Sequence, residues 1–105
     1  MARFTLALLA ALPALVSAQS FTTYPDVHCS HDGHWFSLES ALNPNTEWAG
    51  FPDGTKCVVF EGMEKYETVI KYTGGEVDFK DFNGGYFTWT YSSGIQGAWI
   101  ARWRN

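Results

Sequence analysis

A chain of 105 residues, 46% hydrophobic and 17% charged, has room for one small domain and no more. Seven basic residues stand against eleven acidic ones, a formal net charge of −4. That balance argues against nucleic-acid phosphate or an anionic membrane surface as the main partner.

The chain opens with "MARFTLALLAALPALVSAQS". Arg3 supplies a basic start, an apolar run follows from Leu6 to Val16, and Val16-Ser17-Ala18 has the small-x-small pattern of a cleavage site. The run falls short of the about 20 apolar residues that span a bilayer. It reads as a secretory signal peptide over residues 1–18, leaving 19–105 as a single small β-rich domain that begins at Gln19. No later run approaches membrane length, so the expected product is soluble, extracellular and monomeric.

"VHCSHDGHW" follows, with three histidines, a cysteine and an aspartate in residues 27–35. The chain has two cysteines, Cys29 and Cys57, and in an exported protein such a pair reads as a disulfide. An oxidised Cys29 cannot serve as a thiolate ligand. What is left is His28, His31 and His34 at i, i+3 and i+6, interrupted by the turn-forming Asp32-Gly33. They form a weak candidate site for zinc or copper, and the plainer expectation is the rim of a disulfide. No cofactor is called for.

"WFSLESALN" has the only helical character, with Phe36, Leu38, Ala41 and Leu42 apolar and Ser37 placed to cap. The loop "PNTEWAGFPDGTK" comes next. Five β-rich runs then follow at spacings of about ten residues: "KCVVFEGM", "KYETVIKYTGG", "EVDFKDFNGG", "YFTWTYSSG" and "GAWIARWRN". Phe87, Trp89 and Tyr91 alternate with Tyr86, Thr88 and Thr90, and Trp99, Ala101 and Trp103 oppose Ala98, Ile100 and Arg102. These runs predict an antiparallel meander: a small β-sandwich or partly open barrel of about five strands with one short N-terminal helix.

Five Trp, five Tyr and eight Phe residues are many for so short a chain, and with few Leu and Ile after residue 18 some of them must build the core. The rest could form a platform for sugar rings. The candidate ligand-binding residues are Trp48, Trp89, Tyr91, Trp99 and Trp103, with Tyr86 beside them. Trp48, in a loop next to "AGFPDG", is expected to be the most exposed tryptophan. Catalytic constellations are missing from the sequence: there is no GxSxG, HExxH or phosphate-binding loop. Glu61, Glu64, Glu67 and Glu76 read as solubilising charges on strands. No catalytic residue is expected.

The segment "CVVFEGMEKYETVIKYTGG" resembles the strand pair of secreted fungal guanyl-specific ribonucleases. The matching positions are Val58, Val59, Phe60, Val69, Ile70, Thr73 and Gly74. The arginine and histidine that this family carries there are replaced by Cys57 and Tyr72, so the resemblance implies at most a catalytically dead relative. More broadly, the "ALVSAQ" leader end, the small β-rich body, the single disulfide and "YPDVHC" resemble small secreted fungal effectors. That resemblance implies a secreted, non-catalytic binding protein with a host protein or a cell-wall glycan as partner, and it leaves later entry into host cells open.

Overall fold

The computed structural model describes residues 19–80 and 85–102; the leader expected over 1–18, and Trp103 among the candidate ligand-binding residues, lie outside the described residues. Within them the strands are β1 Ser20–Tyr24, β2 His34–Ser37, β3 Trp48–Gly50, β4 Cys57–Glu61, β5 Tyr66–Tyr72, β6 Gly75–Phe79, β7 Phe87–Thr90 and β8 Ile95–Arg102. One turn of helix, α1 Leu38–Ala41, separates β2 from β3. The strands form two four-stranded antiparallel sheets, ordered β2-β1-β4-β7 and β3-β8-β5-β6.

The mainly β architecture and the disulfide are as the sequence predicts, but the layout differs in three ways. The described residues hold eight strands rather than about five, and of the two expected layouts they take the sandwich, as a pair of sheets. The helix is shorter than "WFSLESALN", because His34–Ser37 pairs with β1 as a strand. Phe36 is thereby turned inward, stacked on Phe21 at 5.1 Å. Pairing with a neighbouring strand here overrides a weak helical pattern. Ser37 does cap α1, its Oγ accepting from the Ser40 N–H at 3.3 Å.

The third difference concerns "CVVFEGMEKYETVIKYTGG", whose two strands form no hairpin. β4 pairs with β1 and β7, whereas β5 pairs with β6 and β8 in the other sheet. Gly62, at φ 76°, takes a backbone conformation that a side chain would disfavour, at the point where the chain leaves one sheet for the other. Each of the five predicted runs contains a strand, but they do not follow one another as a simple meander.

The core lies between the sheets. Phe21, Val58, Phe60 and Phe87 come from the first sheet, and Ala49, Ile70, Ala98 and Ile100 from the second. Phe60 and Phe87 stack at 4.9 Å, and Phe79 of β6 stacks on Phe87 of β7 at 4.4 Å, joining the two layers. β8 carries an irregularity that completes this core. Lys71 faces Gly97 but Tyr72 faces Ile95, so Gln96 is an extra residue on β8. The bulge returns Ile95 to the inner side, where it is buried, while Gln96 is exposed.

Candidate functional site

Cys29 and Cys57 form the disulfide, with Cα atoms 5.6 Å apart. It fastens the loop between β1 and β2 to β4, a strand with a neighbour on either side. The loop has its own organiser. The Asp26 carboxylate accepts from the backbone N–H of His28, Ser30 and His31, each at 3.2 Å, and from the Ser30 hydroxyl at 2.9 Å. Partial desolvation pushes the Asp26 carboxyl up. The Ser30 hydroxyl and the three backbone donors outweigh that and hold it below its ordinary range.

His28 and His31 sit on this loop and His34 opens β2, all three exposed. His31 Nδ1 lies 2.9 Å from the Ser30 Oγ. Among the described residues, no group of three or more His, Cys, Asp or Glu side chains is placed to hold a metal ion. His34 instead lines a cleft of about 110 Å³ together with Asp32, Asp53, Tyr24 and Thr55. Asp53, which sequence spacing does not connect with this loop, is brought there by the turn after β3.

The candidate aromatic residues divide between two places. Trp89 and Tyr91 pack inward against the core rather than forming a surface strip. Tyr72 lies 4.6 Å from Tyr91 and 5.6 Å from Trp89, and Phe79 meets Trp89 edge-on at 6.0 Å. The Trp89 Nε1 is shut away from solvent without a hydrogen-bond partner. Cys57 and Tyr72, the two departures from the ribonuclease pattern, are thus a disulfide half and a member of this aromatic layer.

Trp48 and Trp99 belong elsewhere. They face each other in register across β3 and β8, with ring centroids 4.6 Å apart and planes inclined by 53°. Their neighbours in sequence, Ala49 and Ala98, are fully buried, so both indoles project from the outer face of the second sheet. The next pair on that face is Gly50 opposite Gly97. A Cβ on Gly97 would lie 2.6 Å from the Trp48 ring and 2.5 Å from the Ala49 carbonyl oxygen, and one on Gly50 would lie 3.4 Å from the Trp48 Nε1. The Trp48 indole therefore rests on the glycine main chain, leaving it half-buried, with Trp99 beside it 38% exposed. Trp48 is a strand residue in a fixed setting and not the most exposed tryptophan. Among the described residues that is Trp35, at 64%, on edge strand β2, and Tyr86 is 59% exposed.

Across the same outer face, Val69 is level with Trp99 and Asp78 with Val69. Lys71 is paired with Glu76, and the Lys80 Nζ lies 3.8 Å from Glu67 and 4.0 Å from Asp78. A hydrogen bond to Asp78, with partial desolvation and the Asp78 charge, raises the Glu67 carboxyl; Lys80 works in the opposite direction. Charged groups of both signs thus lie to one side of the tryptophan pair, on β5 and β6 and just beyond. Trp35 announces itself in the sequence only through alternation, since an inward Phe36 forces its neighbour outward.

Comparison with protein-family models, with curated proteins and with solved structures finds no match for the chain.

Proposed function

We propose that this chain is a secreted, disulfide-stapled binding protein of the fungal effector type, which acts on a host or competitor target by binding rather than by catalysis. The Trp48–Trp99 pair on the outer face of the second sheet carries this reading. Two adjacent tryptophans on a strand surface hold a large contact area in a fixed orientation, and such residues dominate binding energy where they are found at interfaces. Trp35 is a single exposed apolar residue of an ordinary kind, whereas Trp48 and Trp99 stand side by side in register.

The sheet edges favour the same conclusion. β2, β3 and β7 are four, three and four residues long, and edge strand β6 carries Glu76 and Asp78. Short or charged edges are poor templates for an added strand, so recognition by strand addition is disfavoured relative to the aromatic face.

The test is genetic and structural together. Deleting the gene should reduce colonisation of a host while growth in pure culture stays normal. A Trp99→Ala allele, secreted and folded at wild-type levels, should fail to restore colonisation. Full complementation by Trp99→Ala would remove the tryptophan pair from the function.

A further inference from the structure

We infer that the ligand of the Trp48–Trp99 face is a neutral, hydroxyl-rich glycan chain, a deepening that rests on the proposed binding role of that face. Three observations point to this class. The first is shape. With Gly50 and Gly97 beside it, Trp48 lies against main chain instead of standing among side chains. The result is a shelf formed by the Trp48 ring, with Trp99 set beside it at an inclination of 53°. The clefts lined by Asp32, His34 and Asp53, by Leu38, Leu42 and Tyr66, and by Lys56 and Gln96 all lie elsewhere. A protein partner gains most from an anchoring side chain buried in a pocket, and a shelf offers it little. A pyranose ring has a flat apolar C–H face that stacks on an indole and needs no pocket.

The second observation is charge. On this face the carboxylates of Glu67, Glu76 and Asp78 are interspersed with Lys71, level with Glu76 in the strand register, and with Lys80, which contacts Glu67 and Asp78. A nucleic acid would require a basic field and a basic peptide an acidic one. A face in which the two signs nearly cancel favours a neutral ligand. The third observation is hydrogen bonding. Carboxylates and ammonium groups interspersed a strand or two from Trp99 provide both acceptors and donors, which suits vicinal hydroxyls that donate and accept together.

The full chain, produced in a secreting host and purified oxidised, is mixed with insoluble chitin, cellulose and β-glucan in separate sedimentation assays. Tryptophan fluorescence is recorded with the corresponding soluble oligosaccharides. The wild type should co-sediment with at least one of these neutral polymers, and the soluble oligosaccharide should shift its emission. Trp99→Ala should weaken the association at least tenfold. Trp48→Phe, which keeps a ring on the glycine shelf, should weaken it less. Trp35→Ala, on the other sheet, should bind as the wild type does. Failure to bind any of the three polymers overturns the glycan inference, as does equal loss on Trp35→Ala. If no polymer binds while Trp99→Ala still abolishes colonisation, the face remains a binding face and its ligand is a macromolecule of another class. If Trp99→Ala changes neither, both proposals fall.

Discussion

Thr68 lies at the middle of β5, fully buried between Phe79 and Ile100 on the neighbouring strands, and its Oγ1 has no hydrogen-bond partner. A hydroxyl taken out of water without a replacement bond costs about 1–3 kcal/mol. Valine has nearly the same shape, keeps the β-branch that suits a strand, and removes the orphaned group. Thr68→Val should therefore stabilise the domain by about 1 kcal/mol, taking the lower end because packing adjusts. For a domain of this size that raises Tm by about 4–8 °C. Thr55 is the matched control. It is also buried, but its Oγ1 donates to the Pro52 carbonyl at 2.7 Å. The same substitution there removes a good bond, so Thr55→Val should destabilise by about 1 kcal/mol. Guanidinium unfolding followed by circular dichroism reads both midpoints, with unchanged m-values as the condition for comparing them. A Thr68→Val variant less stable than wild type at constant m would refute the reasoning, because it would show that the hydroxyl is satisfied or that the site cannot accept a methyl.

Three further outcomes follow from geometry already described. Replacing both cysteines, C29A/C57A, releases a constraint across a separation of 28 residues and should cost about 3–4 kcal/mol by loop entropy, read as a lowered denaturation midpoint. Gly97→Ala would force a Cβ to 2.5 Å from the Ala49 carbonyl, so β3 or Trp48 must shift. A loss of about 1–3 kcal/mol is expected, with red-shifted tryptophan emission; unchanged stability and emission would show that β3 yields freely. The lowered Asp26 carboxyl gives the loop a contribution that is intact above the unfolded value of about 3.9 and is lost as pH falls through the lower folded value. Asp26→Asn should accordingly unfold more easily than wild type at pH 6, and the difference should narrow below about pH 4 in parallel melts.

The parts of the fold that are legible in the sequence are those written in local pattern. Phe87 and Trp89 alternate with Thr88 and Thr90 over a full strand, and β7 is found there, with Phe87 buried and both threonines exposed. Two cysteines in one small domain leave one pairing, and that pairing is the one formed. β2 is obscured because Leu38, Ala41 and Leu42 carry helical spacing straight after it. Only the ladder with β1 decides where strand gives way to helix. The separation of β4 from β5 into different sheets depends on strands far away in the chain, which no local window reports. The Trp48–Trp99 pair is hidden for the same reason, since its register is set by tertiary pairing. A trace of it was present nonetheless: a glycine inside a strand, such as Gly97, often marks a place where something must approach the backbone closely.

The modest edges of both sheets bear on how this protein behaves in a crowded, concentrated fluid. β3 offers three residues to a passing chain and β6 sets Glu76 and Asp78 along its rim, so molecules meeting edge to edge find little to zip together. At high concentration, edges of this kind disfavour the strand-to-strand contacts from which fibres and gels grow. Substituting Asp78 by an apolar β-branched residue would remove that safeguard, and haze on concentration is where the change would first be seen.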